Sequence, residues 1–445
     1  MKVIVIGCTH AGTAAVKNIL KLHPQAEVTV YERNDNISFL SCGIALYVMG
    51  VVKDPKGLFY SSPEELASLG ATTKMKHEVL SVDTKGKKVF VKDLVTGDTF
   101  EDTFDKLVIA TGSWPIIPRI PGIESANVLL SKNYNHSNEI IAQAAAAKKI
   151  TVVGAGYIGV ELAEAFAVQG KEVVLIDAED RIMPKYLDKE FTDVAEKAFR
   201  DHGITLALGE KVSEFVTTHG LVHQVVTNRG AYDADMVILC IGFRPNTKLF
   251  EGQVAMTPQG AILVDEYMRT SCEDVFACGD SAAVKYNPLN ETRYIPLATN
   301  AVRMGTLVGR NLVKPTTKAL GTQGTSGIQI YEYGIASTGL TEIVAKEQGI
   351  DVATVMIKDH NRPEFMPEYD EVMLKVVFDK KSRRLLGGQI LSKLDVTQHM
   401  NTLSVAIQNK MTIEDLAFVD FFFQPNFNKP WNLLNLAGLA GLDIK

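Results

Sequence analysis

Cysteine is scarce in this chain, with five among 445 residues, and these form no Cys-x-x-Cys pair and no Cys/His cluster. An odd, scattered set excludes a disulfide framework and argues against a bound metal, so any special cysteine would be catalytic. Long apolar runs are also missing. None approaches the roughly 20 residues of a membrane span, and the opening Met1-Lys-Val-Ile-Val-Ile-Gly7 reads as a strand and glycine turn without a cleavage site, so a cytoplasmic location is expected. Basic clusters are absent as well. The net charge of −6 comes from interspersed signs and gives no electrostatic footprint for nucleic acid or an anionic membrane.

What is present is ample apolar content, 46% over this length, enough for several cores and about three domains. Lys2–Ile6 reads as a buried parallel strand, and Gly7-Cys-Thr-His-Ala-Gly12 then opens a helix over 13–22. This is a dinucleotide-binding turn with Thr9 in place of the second glycine. A second strand over 28–32 ends in Glu32, twenty residues after Gly12, where an acid hydrogen-bonds a ribose hydroxyl. His10 lies inside the turn; proton transfer and simple helix capping are equal readings of it.

A cleaner motif follows: Ile150-Thr-Val-Val-Gly154-Ala-Gly156-Tyr-Ile-Gly159, a helix over 160–169, and a strand closing at Asp177. An acid there repels a 2′-phosphate, so the ligand is expected to be NAD(H), with Arg181 close enough to soften the preference. Between the motifs, residues 71–94 alternate as a small antiparallel excursion would, and 105–112 return as a buried strand. A strand over 235–242 ends the second unit, and Cys278-Gly-Asp280 places an acid directly after a short strand. Strands over 352–357, 372–379 and 385–391 and a helix over 396–409 give a third unit of α+β type. Thr412-Ile-Glu-Asp415 reads as a capping box, and the aromatic stretch 421–431 reads as an interface segment or a packed terminal loop.

Ser41 is predicted to cap a helix running to about Met49, with Gly50 just past its end. Cys42 would then sit in the first turn among free N–H groups, a place that stabilises a thiolate. A lone cysteine is more commonly a small buried hydrophobe, and this stretch alone does not decide between the two.

Together, Gly7-Cys-Thr-His-Ala-Gly12, Ser38-Phe-Leu-Ser-Cys-Gly43, Gly154-Ala-Gly-Tyr-Ile-Gly159, Cys278-Gly-Asp280 and the stretch 421–431 resemble the two-dinucleotide flavoprotein disulfide reductases. Within them they resemble the single-cysteine branch of NADH oxidases and NADH peroxidases, over essentially the whole chain. The resemblance implies an α/β fold of glutathione reductase type: two Rossmann-like dinucleotide-binding domains plus a C-terminal α+β dimerisation domain. The expected partition is FAD at 1–115 and 243–320, NAD(H) at 116–242, and homodimerisation at 321–445. It implies FAD on Gly7, Thr9, His10, Ala11 and Gly12, with Glu32 at its ribose and Asp280 at its ribityl chain. Cys42, Thr111, Gly112, Leu297, Ala298 and Thr299 complete that site. NADH would lie on Gly154, Gly156, Tyr157, Ile158, Gly159, Asp177 and Gly242, with Tyr157 covering the flavin face until the nicotinamide arrives. Arg303 and Phe423 are expected to support the site.

Departures narrow the chemistry. Disulfide reductases pair two cysteines as C-x4-C, but Tyr47 and Ile37 stand five positions either side of Cys42, and 420–431 holds neither His nor Glu. The expected reaction is reduction of O2 to water by two NADH, through reduced flavin and a Cys42 thiolate/sulfenic acid cycle, with His10 moving protons. NADH peroxidase is the second reading, because the same cysteine serves both. The first turn and Ser113-Trp-Pro115 look more like water-forming oxidases. A coenzyme A disulfide reductase is third, and a flavin-linked redox sensor is the non-enzymatic reading.

Overall fold

Two valine- and isoleucine-rich runs build the centres of two parallel sheets, and the chain threads from one to the other and back. The computed structural model describes residues 1–444. In the first sheet Lys2–Ile6 lies between Glu27–Glu32 and Lys106–Ile109, with Ala71–Met75 and Val275–Ala277 at the two edges. Val3, Ile4 and Val5 are fully buried, as a central parallel strand covered on both faces requires.

The edge strand Ala71–Met75 pairs parallel with Glu27–Glu32, so the predicted antiparallel excursion begins only at residue 77. An edge strand with one polar face alternates in sequence as an antiparallel strand does, which hid the boundary. The antiparallel meander comprises His77–Asp83, Lys88–Asp93 and Thr99–Thr103.

The second sheet has the order Thr205–Leu208, Glu172–Asp177, Lys149–Val153, Met236–Leu239, Val128–Leu130. A ribbon of two short antiparallel strands, Ser113–Pro115 against Phe243–Pro245, carries the chain out of the first unit and back into it. Among the described residues no helix is long and apolar enough to cross a membrane.

The third unit is a five-stranded antiparallel sheet. Its strands Ser326–Ile330 and Tyr333–Gly339 escaped the sequence reading, because their glycines and hydroxyl residues dilute the apolar alternation. The capping box is present: Thr412 Oγ1 accepts from the Asp415 N–H at 3.2 Å, and Asp415 Oδ2 accepts from the Thr412 N–H at 2.8 Å.

A charge cluster around the buried pair Lys375 and Asp188 pins the second unit to the third. Lys375 is 2% exposed and Asp188 1% exposed. The Lys375 ammonium lies 2.7 Å from Glu342, 2.9 Å from Glu190 and 3.2 Å from Asp188.

Candidate active site

Strand ends and helix starts of the first unit converge on one sheet edge. Lys2–Ile6 runs into Gly7, Glu27–Glu32 ends at Glu32, Lys106–Ile109 leads to Thr111 and Gly112, and Val275–Ala277 leads to Asp280. The helix His10–Leu22, which starts three residues earlier than predicted, packs against Ala298–Asn311. A Cβ on Gly305 would fall 2.2 Å from the Ala11 carbonyl oxygen, so only glycine permits that crossing. Gly279 is wedged against Ala11 and Ala301, which sets the Asp280 turn beside both helix starts.

The two acids predicted to read ribose each close their own glycine turn. Glu32 accepts from the Cys8 N–H at 2.9 Å, and from Asn34 through its N–H at 2.9 Å and its amide at 2.7 Å. Burial nevertheless raises its carboxyl above the usual range. Asp177 accepts from the Ala155 N–H and, at 2.8 Å, from the Glu179 N–H. Carboxylate oxygens have further lone pairs, so both acids keep acceptor capacity for a ribose hydroxyl. Arg181 is paired with its neighbour Asp180 at 3.0 Å.

Residues at the first edge fit a dinucleotide that brings hydroxyl and carbonyl groups. His10 Nε2, Thr111 Oγ1 and the Tyr294 hydroxyl are buried without a hydrogen-bond partner, and such groups are costly unless a ligand meets them. Neither converging helix carries an acid in its first turn, so both ends can receive a phosphate. Leu297 is the N-cap of the second helix, and Ala298 and Thr299 open it. At the second motif, a Cβ on Gly156 would meet nothing within 4 Å. This leaves an open approach where a pyrophosphate would lie along the start of Tyr157–Val168.

Asp280 belongs to a network that sequence reading missed. Its Oδ2 accepts from Ser113 Oγ at 2.8 Å and lies 3.5 Å from the Lys132 ammonium, which itself donates to Ser113 Oγ at 2.9 Å. Lys132 also stands 4.7 Å over the Phe243 ring. Its only sequence signal is a position two residues past the strand Val128–Leu130.

The context of Cys42 differs from expectation. Ser41–Gly43 is a single 3-10 turn, and the α-helix is Ile44–Met49. Ser41 makes no capping hydrogen bond, while Gly50 ends the helix with φ +84° as predicted. With the α-helix starting only beyond Gly43, the support expected from its N-terminus reduces to the Cys42 N–H, which lowers the thiol less than its surroundings raise it. Cys42 reaches solvent, but the protein crowded around it displaces enough water to push its thiol up, with Glu161 adding to the rise and Lys132 opposing it. Glu161 lies on Tyr157–Val168, where burial and then Glu164 push its carboxyl up to about 7. It too was missed, although two acids on an otherwise apolar helix were visible.

The pH dependence follows from that direction. A raised thiol is mostly protonated at neutral pH, so alkylation of Cys42 in the flavin-free protein should keep climbing as pH rises past the usual thiol value of about 8.5. Lys132→Met removes the opposing charge and should slow alkylation further at any fixed pH. Peptide mapping after timed iodoacetamide treatment measures both; a rate that levels off below pH 8 would contradict this placement.

His10 is the first residue of its helix, and its Nδ1 lies 3.0 Å from the Tyr60 hydroxyl. Burial lowers its basicity, Asp280 opposes that shift and Lys132 adds to it. Asp280 and Lys132 thus act on both His10 and Cys42, which places the two in one electrostatic neighbourhood.

The remaining expected residues are distributed around this core. The Tyr157 ring packs 4.5 Å from Tyr186 and its hydroxyl is 2.7 Å from Ser326 Oγ. Ile158 and Gly159 follow on the same helix, and Gly242, with φ +110°, lies beyond the strand Met236–Leu239. Arg303 donates to Asn300 one turn earlier on its own helix, at 2.5 Å. Phe423 is exposed, as are Phe422, Phe427 and Trp431. Phe422, Phe427 and Trp431, but not Phe423, line a cleft of about 250 Å³ built wholly from residues of the third unit.

Comparison with known proteins places this arrangement. The model of the pyridine nucleotide-disulphide oxidoreductases matches residues 1–305, and that of their dimerisation domain matches 325–433. An NADH oxidase of Enterococcus faecalis is 59% identical over 444 residues, covering 100% of both chains. An NADH oxidase of Streptococcus pyogenes is 44% identical, covering 99% of this chain and 100% of its own. The structure of the water-forming NADH oxidase from Lactobacillus brevis, bound to NADH, superposes with a TM-score of 0.98 at 57% identity, covering 99% of this chain and 98% of that one. The chain is therefore a member of the pyridine nucleotide-disulphide oxidoreductase family.

Proposed function

We propose that this protein is a water-forming NADH oxidase that reduces O2 to water with two NADH, using FAD and a Cys42 thiolate/sulfenic acid cycle. The observation that carries this reading is one accessible thiol at the convergent edge, without a cysteine partner at Tyr47 or Ile37. Similarity along the full length to NADH oxidases supports it. When bound, FAD accepts hydride from NADH and delivers electron pairs to O2 and to sulfur.

The chain's own residues do the rest. Gly7, Gly12, Glu32, Thr111 and Asp280 hold FAD, while Gly154, Gly156 and Asp177 hold NADH in preference to NADPH. The Cys42 thiolate attacks one oxygen of hydrogen peroxide, the O–O bond breaks, and sulfur is oxidised to sulfenic acid as hydroxide leaves and becomes the first water. A second electron pair and a proton return the sulfenic acid to thiolate and release the second water. The segment 325–433 forms a homodimer. The boundaries are those given above, with 116–242 inserted into the FAD-binding unit.

Stoichiometry tests this directly. Under air the holoenzyme should oxidise two NADH per O2 and release no hydrogen peroxide. A protein that ignores O2 but turns over added hydrogen peroxide would be an NADH peroxidase instead.

A further inference from the structure

Cys42 belongs in sequence to the first unit, but the segment that carries it is built into the core of the second. Phe39, Ile44, Val48 and Leu58 share their hydrophobic cluster with Leu129 and Ile140, whereas the strands of the first sheet fill a separate one. The helix Ile44–Met49 packs on Tyr157–Val168 and on Tyr134–Ala144. Aromatic rings close the same seam nearer the cysteine. Phe39, Phe59 and Tyr134 pack pairwise, with centroids 5.4 Å apart for Phe39 and Phe59, 5.6 Å for Phe39 and Tyr134, and 5.2 Å, edge to face, for Phe59 and Tyr134. Such pairs attract beyond the area they bury.

Phe39 passes this contact to Cys42 through a short run of hydrogen-bonded backbone. The Ser41 N–H donates to the Phe39 carbonyl at 3.1 Å and the Gly43 N–H to the Leu40 carbonyl at 2.9 Å, one on either side of Cys42. The Leu40 N–H donates to the Leu58 carbonyl at 2.8 Å, Phe39 and Phe59 form a β-bridge, and the Ser61 N–H donates to Ser38 Oγ at 2.9 Å. A Cβ on Gly43 would fall 2.4 Å from Leu58 Cδ2, so the turn also sits hard against the 58–61 loop. Tyr134 is itself held in place. It opens its helix behind the Asn133 cap, whose Oδ1 accepts from the His136 N–H at 2.9 Å. Two residues earlier, the Lys132 ammonium lies 3.5 Å from Asp280 at the convergent edge. The segment 132–134 thus meets that edge with one side chain and the cysteine segment with another.

We infer that Tyr134 is a positioning residue: its ring, packed on Phe39 and Phe59, sets where the Cys42 sulfur stands relative to the convergent edge. This rests on the oxidase reading above, in which electron pairs and peroxide must reach that sulfur. A residue of the NADH-binding unit therefore places the cysteine of the FAD-binding unit. It acts on the sulfur only through Phe39, Phe59 and the backbone between Phe39 and Gly43. A misplacement of 1 Å can cost a reaction about a hundredfold, and removing one ring of three permits part of that loss.

The experiment compares wild-type holoenzyme with three variants. Tyr134→Ala removes the ring, Tyr134→Phe keeps it, and Phe59→Leu loosens the same contact from the other side. In Tyr134→Ala, amide hydrogen exchange in a peptide covering 38–43 should speed up by about tenfold more than in the strand Lys149–Val153, which separates local release from general destabilisation. Oxidation of reduced Cys42 by added hydrogen peroxide should fall by about tenfold, and a share of the O2 consumed with NADH should leave as hydrogen peroxide. That share is a ratio per turnover, so a smaller folded fraction does not move it. Tyr134→Phe should match wild type in all three readings. Unchanged exchange or unchanged sulfur oxidation in Tyr134→Ala, or a Tyr134→Phe enzyme as impaired as Tyr134→Ala, would overturn the inference. Should Tyr134→Ala not fold, Phe59→Leu carries the test with the same expected directions, and wild-type readings there would overturn it equally. Exchange is measured without turnover, so it tests the hold on 38–43 even if wild type fails the two-NADH stoichiometry.

Discussion

Replacing Cys42 by serine should turn the product from water into hydrogen peroxide. The variant should consume one NADH per O2 and release one hydrogen peroxide, so that added catalase returns half of the oxygen to an electrode trace. Serine keeps the size of the side chain, but its oxygen cannot climb the reversible sulfenic acid rung that sulfur offers. The nucleotide-binding turns are untouched, and Cys42 is exposed, so stability should change by no more than about 0.5 kcal/mol. A Cys42→Ser enzyme that still made only water would dispose of the sulfur cycle.

The largest effect on stability should come from Lys375→Ala. The lysine is the cation of a cluster otherwise composed of Asp188, Glu190 and Glu342. Asp188 also accepts from Gln389 at 2.8 Å and from the N–H groups of Glu342 at 3.0 Å and Ile343 at 3.2 Å. Removing one partner from a buried ion pair typically costs about 3–5 kcal/mol, because the charge left behind has no compensation. For a chain of this size the apparent melting temperature should fall by roughly 3–5 °C. A fall smaller than about 1 °C in calorimetry would mean that water replaces the ammonium at little cost.

The same cluster fixes the sign of a pH effect. Hydrogen bonds from Lys346 and Lys375 lower the Glu342 carboxyl against the upward push of its burial. A depressed carboxyl contributes stability above its unfolded pKa and loses it as pH falls through the folded one. The three carboxylates raise the Lys375 ammonium despite its burial, so its contribution persists below the unfolded lysine value and disappears as pH rises through the folded one. Wild type should therefore lose this part of its stability in acid and in strong alkali, while Lys375→Ala should show a flatter profile at both ends.

The glycine turns were legible because backbone geometry dictates residue type there. Gly7 has φ +89° and Gly154 φ +105°, and a Cβ on either would fall 2.4 Å from a backbone carbonyl oxygen. The acids Glu32 and Asp177 were legible for a related reason, since each closes its own turn. Tyr60, Ser113, Lys132 and Glu161 carry no such local signature. They reach the site through the 38–40 to 58–61 clamp, the ribbon between units and the face of a helix, none of which has a fixed sequence spacing. The helix start expected at Ser41 lies instead beyond Gly43, because Ser41–Gly43 closes as a 3-10 turn, and the desolvation and the Glu161 carboxylate that raise the Cys42 thiol come from elements distant in sequence.

The two-strand ribbon also has a consequence for how the protein emerges during synthesis. The first sheet has Lys106–Ile109 as an exposed edge until Val275–Ala277 arrives to pair with it. At roughly 5–20 residues per second, that wait lasts on the order of 10 to 30 seconds. The intervening stretch contains every strand of the second parallel sheet, so it can complete its own sheet first. The nascent chain thus finishes its inner unit while the outer one is still an open edge, and a ribosome stalled between residues 242 and 275 would display an unpaired strand to chaperones and to other chains.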